Sequence, residues 1–359
     1  MTSPLDSMPE AERLAAFDAL ANAALSSWPI QPIDTRRIAC RENAVYEVTT
    51  VDGRKLALRV HRHGYQTPVS LRSEFTWMRA LIEEADVETA KVVPTTDGEL
   101  MVWVQAGGVP VPHLVDMLEW VEGRPLGLAD DPSTFGEGSV FERYRIVGRL
   151  AARIHRHSSL WQPPADFVRL HWDREGCLGQ EALWGPWSDL AVLSDAERQT
   201  LRSAVARVDD ALAGLGRSRD VYGMVHADFV PDNLFVHPDG RIIVLDLDDA
   251  GHGWYLWELV TAVFWYLGTP HYTPALEGYL EGYREVFPLR EEHLALLPHF
   301  LLMRALVYMG WMQSRSGQRT ARLMTGRVRE LSLQLAERVL AGAADYRVVP
   351  LQLTPLPED

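Results

Sequence analysis

One acidic stretch, residues 225–259, constrains the fold more than any other part of the chain. It contains seven carboxylates, one asparagine and three histidines beside strongly apolar runs. Two of those runs, residues 234–236 and 241–247, have strand character and flank a His-Pro-Asp-Gly turn, a pattern that predicts a β-hairpin. Asn233 precedes the first strand and Asp246 ends the second. The hairpin therefore gathers polar side chains at its open end.

The side chains at that open end are oxygen ligands. Folding the hairpin brings the Asn233 amide close to the Asp246 carboxylate, beside Asp228. Oxygen ligands of this kind suit Mg²⁺, which keeps several waters and is usually shared with substrate phosphates. The alternative is an acidic loop with a capping carboxylate on a surface hairpin.

A resemblance to the protein-kinase-like phosphotransferases rests on the pattern His226-x-Asp228-x-x-x-x-Asn233, followed one hairpin later by Asp246. Within that group, the segments HADFVPDN and LDLDDAGHGW are most similar to the aminoglycoside phosphotransferase superfamily. That superfamily also includes choline, homoserine and hydroxylysine kinases and a bacterial stress-response Ser/Thr kinase. The resemblance implies an α+β, bilobal protein-kinase-like fold with a small antiparallel-sheet N-lobe and a larger, mainly helical C-lobe. It also implies ATP and Mg²⁺ as cofactors.

Length and charge are compatible with this expectation. A chain of 359 residues that is 47% hydrophobic can bury the core of two lobes. A net charge of −14 disfavours nucleic acid or an anionic membrane as a partner. Two distant cysteines, no secretory signal and no long uninterrupted apolar stretch predict a cytoplasmic protein. The sequence gives no indication of the oligomeric state.

The order of the predicted elements divides the chain into four segments. Residues 1–32 are expected to form an N-terminal helical extension, and residues 33–121 the nucleotide-binding N-lobe. Residues 122–347 would form the helical C-lobe with the catalytic loop and acceptor site, and 348–359 a tail. Apart from the hairpin, strands are predicted at 37–40, 44–50, 55–60, 100–105 and 114–121. Helices are predicted at 7–25, 69–84, 140–157, 194–215, 254–267, 274–287, 290–314 and 320–341.

Arg59 lies on the third predicted strand, where the resemblance places the phosphate-binding lysine of a kinase. Glu74 lies on the apolar face of the following helix. Because an unpaired buried carboxylate is costly, we predict an ion pair between Glu74 and Arg59 that positions the nucleotide phosphates. The alternatives are an exposed Arg59 on an edge strand and a solvated Glu74.

The remaining nucleotide contacts follow from the resemblance and involve backbone groups. The loop that covers the phosphates in protein kinases is rich in glycine, whereas the CRENAV segment here contains none. Backbone N–H groups of the turn around Asn43 are expected to replace it. At the interlobe hinge, the backbone of Glu119 and Val121 is expected to hydrogen-bond the adenine edge.

The resemblance also implies the catalytic roles. Asp228 would take the proton of the acceptor hydroxyl, and His226 would orient the catalytic loop. Asn233 and Asp246 would hold the metal ion. This assignment predicts a phosphoryl transfer that depends on position and charge more than on covalent chemistry.

Three other acidic residues in the stretch have open roles. Asp248 and Asp249 are interpreted either as contacts to metal-bound water or acceptor, or as solvated or capping carboxylates. Glu258 lies where family members often carry an aspartate that braces the catalytic loop. Its extra length places that bracing role in doubt.

Several residues outside the stretch invite competing interpretations. Four tryptophans in residues 160–190 would form either an acceptor-binding wall or, the favoured reading, a loop packed onto the C-lobe. Arg304, within an apolar helix, is expected to pair with a nearby carboxylate, although reaching toward the acceptor is the alternative. His155 and His157 point to different faces of their helix and are interpreted as structural.

Three functional classes remain on sequence grounds. The favoured one is a kinase that phosphorylates a hydroxyl of a small molecule, such as an amino alcohol, amino acid or aminoglycoside-like compound. The first alternative is a Ser/Thr protein kinase of the bacterial stress-response type. The second is a nucleotide-binding pseudoenzyme, which the missing glycines allow and the intact set of Asp228, Asn233 and Asp246 disfavours.

Overall fold

The computed structural model describes residues 5, 8–40, 43–127, 139–342, 345, 347 and 351. It has an antiparallel sheet in the N-terminal region and is mainly helical afterwards, which confirms the predicted α+β class. The strands are β1 (Pro32–Cys40), β2 (Ala44–Thr50), β3 (Lys55–Val60), β4 (Glu88–Thr89), β5 (Met101–Val104), β6 (His113–Glu119), β7 (Arg124–Pro125), β8 (Leu170–Trp172), β9 (Tyr222–Val225), β10 (Leu234–Val236), β11 (Ile242–Val244) and β12 (Gly251–Trp254). The helices are α1 (Glu10–Ala24), α2 (Pro68–Ala85), α3 (Val140–Leu160), α4 (Arg174–Leu178), α5 (Asp195–Leu215), α6 (Tyr255–Val263), α7 (Tyr272–Arg284), α8 (Glu291–Leu294), α9 (Leu297–Ser314) and α10 (Arg319–Leu340).

The first sheet has five antiparallel strands in the order β1-β2-β3-β6-β5. Side chains along each strand point alternately to the two faces of the sheet, so each face can present apolar side chains to the helix packed on it. Helix α1 covers one face, where Phe17 and Leu20 join Val48, Leu58 and Val115 in a buried cluster. The N-terminal helix therefore packs against the sheet.

Helix α2 covers the other face of the sheet, and its buried side chains also join the core of the C-terminal helices. Thr67 caps its N-terminus by accepting from the Ser70 N–H, and proline follows at the first position. Its apolar stripe includes Leu71, Phe75 and Met78, which are buried in the same core as the C-terminal helices. The large core is thus continuous from α2 through the helical region.

A second sheet joins the two regions around the predicted hairpin. Its order is β4-β11-β10-β7, so the hairpin β10–β11 has β4 on one side and β7 on the other. Strand β4 pairs parallel with β11, and Arg241 next to the hairpin forms an ion pair with Glu88. At the hinge, Gly123 has a φ of 134°, and a Cβ atom there would lie 2.5 Å from the Val236 carbonyl oxygen. Glycine is required at that position because any side chain would collide with the hairpin.

Several boundaries differ from the sequence prediction. The expected helix at 290–314 is two helices, α8 and α9, because Pro298 opens a new helix near its first position. The expected helix at 254–267 ends at Val263 and continues as a 3₁₀ turn through Tyr266. The helix predicted at 7–25 is α1, which follows Pro9 with no side-chain cap, and residue 7 itself lies outside the described residues. No helix in the described part of the chain is long and apolar enough to cross a membrane.

Candidate active site

The catalytic-loop segment between β9 and β10 places Asp228 at the mouth of the hairpin. Its carboxylate receives two hydrogen bonds, one at each oxygen. Arg304 Nη2 donates to Oδ1 over 3.1 Å, and Asn233 Nδ2 donates to Oδ2 over 3.1 Å. The Asp228 side chain remains 27% exposed. It is therefore a carboxylate with a fixed orientation and one open side.

His226 anchors this loop from the inside. The residue is fully buried. Its Nε2 lies 2.8 Å from the Leu245 carbonyl oxygen, and its Nδ1 accepts from the Asp228 N–H over 3.3 Å. These two bonds require a neutral imidazole that donates from Nε2. The ring thus joins the loop to the strand end before Asp246, which is the geometry expected of an orienting residue.

Glu258 braces the loop, and the doubt raised by its length is removed. Its two carboxylate oxygens accept from the backbone N–H groups of His226 (2.7 Å) and Ala227 (2.9 Å). Ala227 has a φ of 67°, a left-handed conformation that is unfavourable for a residue with a side chain. Such a conformation persists where the surroundings hold it. The start of α6, directly after β12, brings Glu258 close enough to do so.

Asn233 and Asp246 bring oxygen donors to the same end of the hairpin. The Asn233 amide nitrogen donates to the Asp228 carbonyl over 2.9 Å as well as to its carboxylate, which leaves the amide oxygen as the outward donor atom. Asp246 has a left-handed φ of 58°. The surrounding protein and the nearby charges of Asp248 and Asp228 raise the pKa of Asp246 to about 8, although the residue is open to the solvent of the cleft.

These donors fit a hard divalent cation. Carboxylate and amide oxygens are ligands that Mg²⁺ prefers, and Asp246 lies near the negative charges of Asp248 and Asp228, which a cation would offset. Within the described residues, no group of three or more His, Cys, Asp or Glu side chains could hold a metal ion. An ion at Asn233 and Asp246 would therefore need further oxygens from water or substrate.

Arg59 lies at the centre of a buried ionic group on the N-terminal sheet. Its Nη2 is 3.0 Å from Glu74 Oε1, so the predicted ion pair is present. Nε and Nη2 also bind the Asp116 carboxylate, over 2.9 and 2.8 Å. The exposed edge-strand alternative is wrong, because β3 lies between β2 and β6 and Arg59 is 6% exposed. Nη1 makes no hydrogen bond to any residue that the structure describes.

Asp116 was missed by the sequence reasoning. It is fully buried on β6 and also lies 2.7 Å from His61 Nε2. Burial opposes its ionisation, but the charges of Arg59 and His61 outweigh burial and hold the pKa of Asp116 well below its usual range. The signal was available: a lone carboxylate within the apolar run LVDML needs a buried partner, by the same logic that identified Glu74.

Arg169 was also missed, and it ties Glu74 to the turn that follows Asp246. Its side chain is fully buried. The residue stands in an irregular segment with no periodic pattern, so no sequence signal marked it. Its acceptors are the carbonyl oxygens of Leu247 (2.8 Å), Asp248 (2.6 Å), Ala250 (2.7 Å) and Ser70 (3.1 Å), together with Ser70 Oγ (3.4 Å) and Glu74 Oε2 (3.4 Å). We refer to Arg59, Glu74, Asp116 and Arg169 as the Arg59 cluster.

Asp248 and Asp249 belong to a turn held from both sides of the cleft. The Asp249 carboxylate accepts from the Tyr65 hydroxyl and from Trp184 Nε1, and its carbonyl accepts from Trp172 Nε1 over 2.6 Å. Asp248 is only 3% exposed, and its Oδ1 lies 3.8 Å from His61 Nδ1. Neither residue is a simple solvated carboxylate.

The residues expected to contact adenine and phosphate lie at the end of β6 and beside the β1–β2 turn. Glu119 ends β6, and its N–H donates to the Lys91 carbonyl, so only its carbonyl could accept from a base. Val121 follows the strand, and no described backbone group accepts from its N–H. Asn43 borders the β1–β2 turn, where residues 41–42 are outside the described part, and its Oδ1 accepts from the Arg62 N–H over 3.1 Å.

The tryptophans after α3 pack onto the helical region, as favoured. Trp172 stacks on Trp257 with ring centroids 5.8 Å apart, and Trp184 meets Trp172 edge-on at 5.4 Å. Arg304 pairs with a carboxylate, and that carboxylate is Asp228. His155 and His157 have separate partners, Tyr283 and Glu84 respectively.

Comparisons with known proteins identify the family of the chain. The sequence model of the APH phosphotransferase enzyme family matches residues 34–296. The chain is 33% identical to a microcompartment-associated aminopropanol kinase of known structure, with a TM-score of 0.79 over 92% of this chain and 98% of that one. It is 26% identical to the amicoumacin kinase of Bacillus subtilis (strain 168) over 284 residues, 77% of this chain and 78% of that protein. An amicoumacin kinase solved with AMP-PNP, Ca²⁺ and Ami has a TM-score of 0.71 at 23% identity, covering 92% and 96% of the two chains.

Proposed function

The chain belongs to the APH phosphotransferase enzyme family and is a kinase with an alcohol group as acceptor, and from this premise we propose a specific reaction and set of roles. The enzyme transfers the γ-phosphate of ATP, with Mg²⁺, to a hydroxyl group of a small amino alcohol or a related amino-acid or aminoglycoside-like compound. Asp228 is the base.

The observation that carries this proposal is the arrangement of hydrogen bonds around the Asp228 carboxylate. Its carboxylate is held at both oxygens, and it lies beside the outward amide oxygen of Asn233. A base must be positioned within hydrogen-bond reach of the proton that it accepts, and a preorganised one costs little reorganisation during reaction. The open side of the Asp228 carboxylate would let it reach an acceptor hydroxyl, whereas Asp248 is buried.

The phosphate donor would lie between the sheet and the hairpin. Arg59 Nη1, the part of the guanidinium not used by Asp116 and Glu74, would bind phosphate oxygens, and Glu74 would hold Arg59 in place. Backbone groups of Glu119 and Val121 would bind adenine, and the turn at Asn43 would cover the phosphates. Since the Arg59 cluster contains as many carboxylates as arginines, it supplies little net positive charge.

Asn233 and Asp246 would hold the metal ion, which neutralises phosphate charge when bound. In the transfer step, a bond forms between the acceptor oxygen and the γ-phosphorus, while the bond from that phosphorus to the β–γ bridging oxygen breaks. The acceptor proton passes to Asp228, and ADP leaves. His226 keeps the loop in place and takes no proton.

Two observations support a small, basic acceptor. The chain resembles an aminopropanol kinase along nearly its whole length. In addition, the carboxylates of Asp248 and Asp249 contribute negative charge next to Asp246 and so favour a cationic ligand nearby. Neither point favours a protein acceptor, and the family membership leaves no reason to prefer a pseudoenzyme.

The test is mass-spectrometric detection of phosphorylated product after incubation with Mg-ATP and a pool of amino alcohols, amino acids and aminoglycosides. We expect a phosphorylated small molecule from the wild type and a loss of about 10³-fold in turnover for Asp228→Asn, with nucleotide binding retained. Asp239→Asn, which changes an exposed carboxylate at the far tip of the same hairpin, is the matched control and should leave turnover unchanged. Turnover by Asp228→Asn equal to that of the control would refute the base assignment.

We also propose that residues 33–121 act as the nucleotide-binding lobe and residues 122–347 as the acceptor-binding lobe, after an N-terminal extension of residues 1–32 and before a tail of residues 348–359. The support is the position of the Arg59 cluster on one side and Asp228 on the other.

A further inference from the structure

Arg304 is a cation enclosed in the apolar helix α9. None of its side chain is exposed. Three aromatic rings surround the guanidinium, with centroids at 5.0 Å (Trp184), 5.1 Å (Trp257) and 4.4 Å (Tyr308). Such rings attract a cation, but a buried guanidinium also requires hydrogen-bond acceptors and an opposite charge. The identity of those partners therefore indicates what the residue is for.

The partners of Arg304 lie in the catalytic loop or on its own helix. Nη2 donates to Asp228 Oδ1 over 3.1 Å and to the Tyr308 hydroxyl over 2.9 Å. Nη1 donates to the Ala227 carbonyl over 3.3 Å. Among the residues in the described ranges, Asp228 is the one carboxylate that forms an ion pair with Arg304.

The catalytic loop is consequently clamped by opposite charges from two helices. Glu258 on α6 accepts from the N–H groups of His226 and Ala227. Arg304 on α9 donates to the carbonyl of Ala227 and to the carboxylate of Asp228. The strained Ala227 is therefore held at both its N–H and its carbonyl. These two contacts fix where the chain places Asp228.

A carboxylate bound at one oxygen can still rotate, because the terminal torsion of aspartate is broad. Asp228 is bound at both: Arg304 holds Oδ1 and Asn233 holds Oδ2. We infer that Arg304 is a positioning residue that fixes the Asp228 carboxylate toward the acceptor hydroxyl without touching substrate itself. This inference rests on the proposed role of Asp228.

The aromatic rings around Arg304 help to hold its guanidinium beside Asp228. Trp184 belongs to the acceptor-side segment and Trp257 to α6, so the rings shield the guanidinium from solvent and acceptor. Burial opposes the charge, but the neighbouring Tyr308 and Asp228 outweigh burial and raise the pKa of Arg304 above its ordinary value. The guanidinium therefore stays charged, and Trp184 influences the reaction through it.

The test compares steady-state kinetics of Arg304→Met and Arg304→Lys with a matched control, Arg315→Met. Arg315 is another buried arginine and lies over Trp311, with its guanidinium 5.0 Å from the ring centroid. We expect Arg304→Met to lower kcat by about 10²-fold, as for a misplaced catalytic group, with the KM for nucleotide unchanged. Arg304→Lys keeps a charged donor and should recover at least part of the loss. A kcat of Arg304→Met equal to that of Arg315→Met would overturn the inference.

A double-mutant cycle separates positioning from a general structural role. If Arg304 acts through Asp228, adding Arg304→Met to Asp228→Asn should change the residual turnover by less than about twofold. If the double variant instead loses turnover by the product of the two separate effects, the inference is overturned. If Arg304→Met does not fold, as judged by circular dichroism, Arg304→Lys carries the same cycle with the same two outcomes. Undiminished turnover in Asp228→Asn alone would refute the proposed function instead, so the two failures are distinguishable.

Discussion

The Arg59 cluster and the pair formed by Arg304 and Asp228 both bury a guanidinium, but they differ in what they leave open. In the Arg59 cluster, two arginines meet two carboxylates, and no side chain is more than 8% exposed. In the Arg304 pair, the arginine is equally buried, but its carboxylate is 27% exposed and aromatic rings replace the second acid. The carboxylates of the Arg59 cluster are closed off from solvent, and Arg59 Nη1 is left for the proposed phosphate contact, whereas the Arg304 pair leaves its carboxylate open to the cleft.

The difference shows how similar ion pairs can have different uses. Asp116 accepts hydrogen bonds from Arg59 and lies against His61, so its oxygens are occupied from within the protein. Asp228 accepts one bond at each oxygen and keeps a solvent-facing side. Closed carboxylates contribute stability and hold Arg59 in place for its proposed phosphate contact, whereas an open carboxylate can itself take part in a reaction.

The largest expected effect is on stability and comes from breaking the closed cluster. Asp116→Ala removes the carboxylate that accepts two hydrogen bonds from Arg59 and lies 2.7 Å from His61 Nε2, in a buried site where Glu74 remains paired with Arg59. Because the remaining charge stays buried, we expect the free energy of unfolding to fall by about 3–5 kcal/mol, measured by urea denaturation. The control is Asp52→Ala, which removes an exposed carboxylate that pairs with Arg54 and accepts from the Thr50 hydroxyl, and it should cost less than about 1 kcal/mol. A loss below about 1 kcal/mol would mean that the cluster is not closed.

A smaller effect is expected from the acid that clamps the catalytic loop. Glu258→Gln keeps the shape of the side chain but replaces one accepting oxygen with a donor that faces a backbone N–H. We expect a loss of about 1.5–3 kcal/mol in unfolding free energy and a fall in kcat of roughly tenfold or more, because Ala227 is less well held. Glu277→Gln, at an exposed position on α7, is the control for both measurements. An unchanged kcat would show that Glu258 supports only the fold.

The smallest expected effect concerns protons at the open end of the hairpin. With its pKa raised to about 8, the Asp246 carboxyl is expected to hold a proton at pH 7 in the metal-free protein. A metal ion requires the carboxylate, so binding at pH 7 should release about one proton, and affinity should rise with pH up to about 8. Calorimetry in buffers of different ionisation enthalpy measures the proton count. Asp246→Asn should release none.

The raised pKa of Asp246 also determines in which direction the stability of the metal-free protein changes with pH. A carboxyl with a raised pKa in the folded protein contributes stability that is complete below its unfolded pKa of about 3.9 and is lost as the pH rises through 8. The metal-free wild type should therefore lose stability between these pH values, by less than the full linkage value because solvent reaches Asp246. A flat profile would contradict the prediction, and Asp246→Asn should remove this contribution.

Local patterns made much of the fold predictable. Helices α2 and α5 and the β10–β11 hairpin follow from periodicity, caps and turn residues, and their bounds differ from the prediction by only a few residues. The ion pair of Arg59 with Glu74 was predictable because a carboxylate on an apolar helix face needs a partner on the adjacent strand. These are relations between neighbours in the chain.

Contacts between distant segments were not predictable in the same way. Arg169 bonds Ser70 across 99 positions and Leu247 across 78, and its own segment has no periodic pattern to reveal its direction. The length of Glu258 was judged against an expected aspartate, but the distance it spans depends on how β12 positions the start of α6. Side-chain reach becomes interpretable only when the backbone path is known.

The parallel pairing of β4 with β11 has a consequence for how the chain can be divided. A cut at the hinge near residue 121 would remove from the C-terminal fragment both β4 and α2, exposing the edge of β11 and the part of the core that α2 covers. Unpaired strand edges and uncovered apolar surface promote aggregation. The two lobes are therefore not interchangeable modules, and recombination between relatives would preserve the fold better at a boundary that keeps residues 68–89 with the C-terminal part.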